Sequence, residues 1–417
     1  ISRPSVMRYK GSKEPLPQIA RELGVDALVS GTVVRAGDRV RVSAQLVDGR
    51  MDRQIWAEAY ERDLRDVLSL QREVAQAIVG EIRVKVTPQE KERLAASRQV
   101  NPKAYEAYLR GRAAWSKQTE ESLKKAIEFF QQAITEDPLY SQAYAGMADS
   151  YFLLGFGFSP PKEVWPNAKA AALKATEMDD SLAEGHVSLG IVLAYYNWAW
   201  ADAERELKRA IDLNPGYGNS HHWYGHYLHS VGRLDEALAQ MQKAHELDPL
   251  SPFMSDDIGT IYFLRREYDH AVDQSRKTID LDPSYYEVYE VLGLAYEQKG
   301  MFSEAIAAFE KGNALAKAEI LTGDIGHAYA AWGKKAEAQK RLDELAQRSK
   351  TAYVSNFDIA LIHTGLGEKD RAFESLDKAY DERSFSVGFA AKMDPRFDPL
   401  RPDPRWNKML QKMGLNN

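Results

Sequence analysis

Three histidines are the residues whose type and spacing come nearest to a chemical site. They lie in the segment HHWYGHYLH, residues 221–229, with His222, His226 and His229 spaced i, i+4 and i+7. On a helix this spacing places them within about 60° of one another. Three such imidazoles could bind zinc, copper or nickel, could contact a ligand in a groove, or could have no function. We favour the groove contact and expect no cofactor.

Sequence motifs for other chemistry are missing. There is no P-loop, nucleophile elbow, kinase catalytic loop or zinc-protease helix, and GFGF at 155–158 is followed by Ser-Pro-Pro and not by a glycine-opened helix. The chain has no cysteine, which removes disulfides, thiolate metal sites and cysteine nucleophiles. We therefore expect a non-catalytic protein. The catalytic alternative is a site within residues 1–100, for which a deep pocket lined by several ionisable groups would be needed.

The net charge of −6 is unevenly distributed. Residues 1–100 contain 18 Lys and Arg against 14 Asp and Glu, so the acidic excess lies in the rest of the chain. Phosphate binding needs clustered cations, and we expect no nucleic-acid partner there. No apolar run approaches the roughly 18 residues of a membrane span. Because the chain begins at Ile1, we expect a fragment whose front is missing.

Small residues recur with a period close to 34. In the regular units a glycine lies twelve residues before each alanine of the series, as at Gly225, Gly259 and Gly293, and each helical segment ends before a proline. Small residues at fixed positions on two helices allow a close antiparallel approach, and proline stops the second helix. The alanine series consists of Ala126, Ala168, Ala203, Ala237, Ala271, Ala305, Ala338 and Ala372.

These positions resemble the tetratricopeptide repeat, a 34-residue helix–turn–helix. The resemblance implies a mainly α fold: a right-handed α-solenoid of about eight helical hairpins over residues 101–383, preceded by a small, truncated α/β domain at 1–100. Units one and two carry extra residues at 116–123 and 155–164, which we expect to form loops. Residues 384–417, rich in proline before a short amphipathic stretch, are predicted to cap the end of the solenoid.

The resemblance also assigns side chains of the first helices to a concave groove. Some tetratricopeptide proteins clamp a peptide's terminal carboxylate there with Lys and Asn, whereas acids, histidines and aromatics here favour a cationic, aromatic or mixed ligand. Trp198 and Trp200 are expected to pack under a hairpin, and their exposure would mark a contact surface. The predicted groove residues are Tyr105, Tyr108, Arg112, Trp115, Asp149, Phe152, His222, His226, His229, Asp256, Glu290, Glu297 and His327.

Residues 1–100 lack the repeat. The segment 15–24 predicts a short helix, and 26–34, 40–48 and 54–62 predict a three-stranded antiparallel meander. A long helix is predicted from about 66 to 84, and TPQE at 87–90 starts another. The apolar run at 26–34 predicts a neighbour on each side, and a strand at 1–2 lacks a partner, which indicates an incomplete sheet.

Residues 19–78 resemble the TolB-amino-terminal-like, also FlgO-like, α/β domain. In bacteria this domain precedes tetratricopeptide arrays in signalling proteins that begin with a winged-helix, nucleotide cyclase or Ser/Thr kinase domain, often followed by a membrane helix. The resemblance implies a protein-interaction and sensing region of such a protein, which binds a peptide or protein partner in the groove. It leaves two compartments open and slightly favours the periplasmic over the cytoplasmic side of a membrane reached through the missing front. The alternative is a structural protein that self-assembles through its solenoid ends.

Overall fold

The N-terminal part of the chain contains a small antiparallel sheet. The structure, a computed structural model, describes residues 3–37, 39–63, 67–82, 101–390 and 392–415. Strand order is β1-β2-β3, so the predicted meander is confirmed. The elements of this part are α1 Arg3–Met7, α2 Leu16–Glu22, β1 Ala27–Ala36, β2 Arg39–Asp48, β3 Arg53–Asp63 and α3 Val67–Ile82.

Strand β1 lies at the edge of this sheet. In the described part of the chain it pairs only with β2, and it exposes Val29, Val33 and Val34, the second of these to 71%. The second neighbour that the sequence predicts for the run at 26–34 is not among the described residues, which agrees with the predicted incomplete sheet. The strand predicted at 1–2 and the helix predicted to start at 87–90 lie outside them.

Residues 101–383 form eight antiparallel helical hairpins, which confirms the predicted α-solenoid. Each hairpin packs against the next through the first helix of the following unit. In chain order the helices are α4 Pro102–Trp115, α5 Glu120–Glu136, α6 Ser141–Gly157, α7 Pro161–Met178, α8 Ala183–Tyr195, α9 Trp200–Leu213, α10 Gly218–Ser230, α11 Leu234–Leu247, α12 Pro252–Leu264, α13 Tyr268–Leu281, α14 Val288–Gln298, α15 Phe302–Ala316, α16 Thr322–Ala331, α17 Lys335–Arg348, α18 Asn356–Gly365 and α19 Lys369–Glu382.

The small residues of the repeat hold each hairpin together. All eight alanines of the series are fully buried, each with 0% of its surface exposed. Gly293 faces Phe309 so closely that an added Cβ atom would lie 2.5 Å from that ring. Gly225 faces Met241 in the same way, at 2.9 Å. The periodicity therefore reports the contact between the two helices of one unit, as predicted.

The extra residues of unit two do not form a loop. Helix α6 continues to Gly157 and α7 starts at Pro161, so the insertion lengthens both helices to 17 and 18 residues. The indole N–H of Trp165 on α7 donates to the Phe152 carbonyl, 3.2 Å away, and fixes this longer hairpin. The loop expected at 155–164 is thus confined to 158–160, because the added residues are compatible with helix on both sides.

The last residues of the chain are more than a cap. They form α20 Phe385–Phe389, a 3₁₀ turn Pro395–Phe397 and α21 Pro404–Lys412. We call residues 384–415 the C-terminal segment. Helix α21 does cover the last unit, where Arg405 pairs with Asp370 at 2.8 Å and lies over the Phe373 ring. The part before α21, however, turns back along the solenoid.

Trp198 and Trp200 show how far the C-terminal segment reaches. Both are buried, at 8% exposure. They follow α8, the first helix of unit three, and about two hundred residues separate them from the C-terminal segment. The ring of Trp198 lies 4.6 Å from that of Tyr380 on α19 of unit eight, and Trp200 Nε1 donates to the carbonyl of Met413 in the C-terminal segment at 2.6 Å. Their burial therefore depends on unit eight and on the C-terminal segment, and not only on their own hairpin. Among the helices of the described ranges, none combines the length and apolarity that a bilayer crossing needs.

Candidate functional site

The first helices of the hairpins turn one face toward the C-terminal segment, and we call this face the inner surface. Phe385 of the segment contacts Phe156 and Tyr195, with ring centroids 4.4 and 4.8 Å apart, and also Phe152 at 5.9 Å. Phe152, a predicted groove residue, is thus buried beneath the protein's own chain. An aromatic surface in units two and three holds a short helix.

Charged side chains continue this contact into units five and seven. Arg396 of the segment is buried and pairs with Asp394 at 2.7 Å and with Asp324 of α16 at 2.5 Å. Asp398 pairs with Arg266 through two hydrogen bonds of 2.6 and 2.8 Å. Such bidentate pairs fix geometry as well as charge. The inner surface therefore binds its own segment through both aromatic and ionic contacts.

The predicted histidines lie at the centre of this contact on α10. His222 Nε2 is 2.7 Å from both Asp257 Oδ2 and His226 Nε2, and His226 Nε2 is 3.5 Å from the same oxygen. His229 points elsewhere, because its Nε2 lies 3.0 Å from the Phe389 carbonyl of the segment. The structure thus brings His222 and His226 together with Asp257 of α12, and it does not bring His229 to the same point.

Burial sets the protonation of this cluster. The pKa of His222 falls to about 4 because burial and the neighbouring His226 disfavour its charged form. Burial and His226 likewise lower the pKa of His229 to about 3. Burial alone would raise the pKa of Asp257, but His226 and His222 hold it below its usual range. At neutral pH the cluster thus combines an ionised carboxylate with the neutral rings of His222 and His229.

Units five to eight contribute an acidic part of the inner surface. Burial, with the neighbouring Asp324, raises the pKa of Glu290 to about 8 and that of Asp358 to about 7. Asp256, a predicted groove residue, is buried without a hydrogen-bond partner for Oδ1 among the described atoms, and its pKa is raised by burial and by Asp257. Arg396 is the cation that this acidic part receives from the C-terminal segment.

Two predicted groove residues pair with each other. Glu297 of α14 and His327 of α16 are buried, and their Oε1 and Nδ1 atoms lie 2.8 Å apart. They come from adjacent units, 30 residues apart in sequence. The pair therefore joins two first helices on the inner surface.

Unit one brings its predicted residues together separately. Arg112 lies over the Trp115 ring at 4.6 Å and 3.8 Å from Asp149, which accepts a 2.6 Å hydrogen bond from Ser188. Burial raises the pKa of Asp149 to about 6. Tyr108 packs against Tyr140, and Tyr105 is half-buried beside this core. These residues are close neighbours, as the repeat register predicts.

Sequence reasoning missed Asp257, Asp324 and Arg396. A usable signal exists for the first, because side chains one repeat apart meet on adjacent first helices: His222 and Asp257 are separated by 35 residues. Glu297 and His327 also come from adjacent first helices, but they are 30 residues apart, so a search at that spacing would not have joined them. The Arg396 contact spans 72 residues and follows no repeat.

The sheet domain offers little for catalysis. A depression of about 300 Å³ is lined by Arg21, Asp26 and Arg50. Asp26 and Arg50 pair at 2.6 Å, but their side chains are 84% and 81% exposed. Catalytic groups are usually desolvated, and these are not.

Comparison with known proteins identifies the repeats. Models of the tetratricopeptide repeat match residues 191–252 and 286–319. The chain therefore contains tetratricopeptide repeats in these two stretches. This fold is generally a non-catalytic scaffold for protein–protein interactions.

Two curated relatives are similar over part of the chain. A putative adenylate cyclase 3 of Rhizobium meliloti is 33% identical over 198 residues, which cover 47% of this chain and 34% of that protein. The transcriptional regulator HilA of Salmonella typhimurium is 27% identical over 143 residues, or 34% of this chain and 26% of that protein. The chain thus spans about a third or less of the length of these relatives.

Solved structures are similar in fold. A thermophilic tetratricopeptide protein of Thermus thermophilus has a TM-score of 0.41 and 19% identity, covering 46% of this chain and 98% of that one. YrrB, described as a tetratricopeptide protein with an unusual peptide-binding site, has a TM-score of 0.31 and 22% identity, covering 45% and 91%. The likeness concerns the fold alone.

Proposed function

We propose that this chain is the non-catalytic interaction and sensing region of a larger bacterial signalling or transcription-regulatory protein, and that its partner is a polypeptide held on the inner surface. The repeats support the interaction role. The larger context is supported by the two relatives, named as a putative adenylate cyclase and a transcriptional regulator, of which the chain spans minor parts. The sheet domain would connect the solenoid to the rest of such a protein.

The C-terminal segment is the observation that carries this proposal. It is a polypeptide already seated on the inner surface, with Phe385 and Phe389 among aromatic rings and Arg396 among acids. A surface that buries this sequence in cis has the chemistry to bind a similar sequence in trans. The partner we propose carries aromatic residues followed by a basic one, and it competes with the segment.

The charge of the inner surface fits the same ligand. Besides burial, Asp324 raises the pKa of both Glu290 and Asp358, and Arg396 is the counter-charge that lowers the pKa of all three. Buried acids without a cation are costly, so a partner that displaces the segment must supply an Arg or Lys in its place. A cationic ligand is therefore preferred over one with a terminal carboxylate.

A peptide in trans tests this proposal. A fluorescent peptide of residues 384–402 is titrated with the wild-type chain and with the double variant Phe389→Ser, Arg396→Gln, and binding is followed by anisotropy. We expect the double variant to bind the peptide, because its own segment is loosened, and the wild type to bind it at least about 10-fold more weakly, because its surface is occupied. Lys408→Gln, an exposed change on α21, is the control and should behave like the wild type.

The proposal fails if the folded double variant shows no saturable binding. Circular dichroism establishes that the variant keeps its helices. A second peptide in which the residues equivalent to Phe389 and Arg396 are replaced should not bind, and equal binding of both peptides would show that the recognition is non-specific.

The self-assembly alternative depends on an uncovered end of the solenoid. Helix α21 covers the last unit in the described part of the chain, with Trp406 buried at 2% exposure and Arg405 over the Phe373 ring. Sedimentation at several concentrations separates the two ideas, since assembly requires a concentration-dependent mass and partner binding does not.

A further inference from the structure

Three ligand-type atoms converge on one point between units four and five. They are the Nε2 atoms of His222 and His226 and the Oδ2 atom of Asp257, all within 4.8 Å of one another and all on buried residues. His222 and His226 lie one turn apart on α10, and Asp257 comes from α12. We propose that these three side chains bind a first-row divalent transition-metal ion, for which Zn²⁺ is the best match.

Counting hydrogen atoms supports a cation at this point. An imidazole nitrogen carries either one hydrogen or one lone pair. His222 Nε2 nevertheless has two partners at 2.7 Å, the Asp257 carboxylate and His226 Nε2. If His222 Nε2 carries a hydrogen, it can donate it to only one of these two partners. If His222 Nε2 carries no hydrogen, its lone pair faces the carboxylate, which has no hydrogen to donate when ionised. An ion placed among the three atoms satisfies all of them together.

The distances fit a small ion after a minor adjustment. Zinc lies about 2.0–2.1 Å from nitrogen and oxygen ligands, which places tetrahedral ligands about 3.3 Å apart. His226 Nε2 and Asp257 Oδ2 are already 3.5 Å apart. The two 2.7 Å distances both involve His222, so a retreat of that one ring by about 0.6 Å opens the site.

The donor set selects the class of ion. Two imidazoles and one carboxylate suit zinc, cobalt, nickel and copper, whereas magnesium and calcium prefer oxygen ligands alone. The protein provides three of four tetrahedral ligands, so a water molecule or the second oxygen of Asp257 completes the set. His229 is excluded, because its Nε2 is engaged by the Phe389 carbonyl.

The surroundings predict a structural ion of moderate affinity. The rings of Phe253 and Phe389 lie 4.3 and 5.0 Å from His222 and His226 and close the site to solvent. The Nδ1 atoms of His222 and His226 have no hydrogen-bond partner within the described residues. In many metal sites the second ring N–H of each histidine ligand donates a hydrogen bond, and this bond strengthens metal binding about 10–100-fold. We expect this site to bind its ion more weakly than such sites by about that factor.

The experiment uses the full chain without a polyhistidine tag. The protein is stripped with a chelator and titrated with Zn²⁺ by calorimetry and with Co²⁺ by visible absorption. We expect one ion per chain, the absorption bands of tetrahedral Co²⁺, displacement of Co²⁺ by Zn²⁺, and a higher Tm in the presence of Zn²⁺, because an ion bound only by the folded state stabilises it.

Matched variants identify the ligands. His226→Gln and Asp257→Asn should each weaken Zn²⁺ binding by at least about 100-fold, since they remove a ligand outright. His221→Gln is the control on the same helix: His221 is held by Gln240 and by the Pro215 carbonyl, away from the three atoms, and its removal should leave binding unchanged.

The wild-type titration decides the matter even if a variant does not fold. The absence of saturable binding of Zn²⁺ and Co²⁺ by the folded, stripped chain overturns the proposal. Unchanged stoichiometry and affinity in folded His226→Gln and Asp257→Asn would also overturn it, because the ion would then lie elsewhere. Loss of peptide binding bears on the inner surface and leaves this result untouched.

Discussion

Replacing Arg396 by Met should release the C-terminal segment from the inner surface. Arg396 is 6% exposed and places its guanidinium between Asp394 and Asp324, both buried. Removing one partner of a buried ion pair typically costs about 3–5 kcal/mol, because the remaining charge has no counter-ion. Asp324 can take up a proton, its pKa being raised already by burial, which reduces the cost. We therefore expect the lower value, about 3 kcal/mol.

Hydrogen exchange followed by mass spectrometry measures this loss of stability in the C-terminal segment itself. At about 1.4 kcal/mol for each factor of ten, the amides of α21 should exchange roughly 100-fold faster in Arg396→Met. The effect should shrink at acidic pH, where the stranded carboxyls are protonated. The matched control is Arg405→Met, whose side chain is 45% exposed in its pair with Asp370, and we expect it to leave exchange close to that of the wild type.

Equal exchange in the wild type and Arg396→Met would refute this reasoning. An equal increase of the exchange rate in Arg396→Met and Arg405→Met would also refute it. Such a result would show that the loss of any arginine from the segment has the same effect, whether or not that arginine is buried. An increase that grows as the pH falls would contradict the assignment of the cost to unpaired carboxylates.

Three further outcomes are expected. Burial and Asp324 raise the pKa of Glu290 from 4.5 to about 8, so between these values the folded state keeps a proton that the unfolded state has lost. The free energy of unfolding should therefore fall as the pH rises from about 5 to 8. In urea titrations, Glu290→Gln should show a smaller fall over the same range. Trp200→Phe removes the hydrogen bond to the Met413 carbonyl and should lower stability by about 1–2 kcal/mol in the same assay. Gly293→Ala forces a Cβ into the ring packed against it and should cost about 1–3 kcal/mol, whereas Gly157→Ala meets no atom within 4 Å and should be neutral in thermal melts.

The hairpins were predictable because their packing repeats in sequence. Each alanine of the series is buried in its own unit, so one contact appears eight times along the chain. A period of 34 residues therefore reports local geometry well. It also placed Phe152 and His222 on the same face, where the structure has them.

The closure of the solenoid was not predictable in this way. The bond between Trp200 and Met413 spans 213 residues and occurs once, so it leaves no periodic trace. The same holds for Phe389, whose carbonyl contacts His229 Nε2 and keeps that histidine away from His222 and His226. The error over the loop at 155–164 has a different cause, because helix lengths at a hairpin's tip are set by tertiary neighbours such as Phe385.

The C-terminal segment also changes how this solenoid should unfold. In an open repeat array each unit touches only its neighbours, and the terminal units fray first. Here Tyr380 of unit eight and Met413 of the segment contact unit three, and Phe385 of the segment contacts Phe156 of unit two, so units two to eight form a closed loop that loses few contacts until these ties are broken. Unit one stays outside the Trp200–Met413, Trp198–Tyr380 and Phe156–Phe385 contacts. We expect two cooperative blocks in a denaturation profile, with the closed block slow to form because the Trp200–Met413 contact joins residues 213 positions apart.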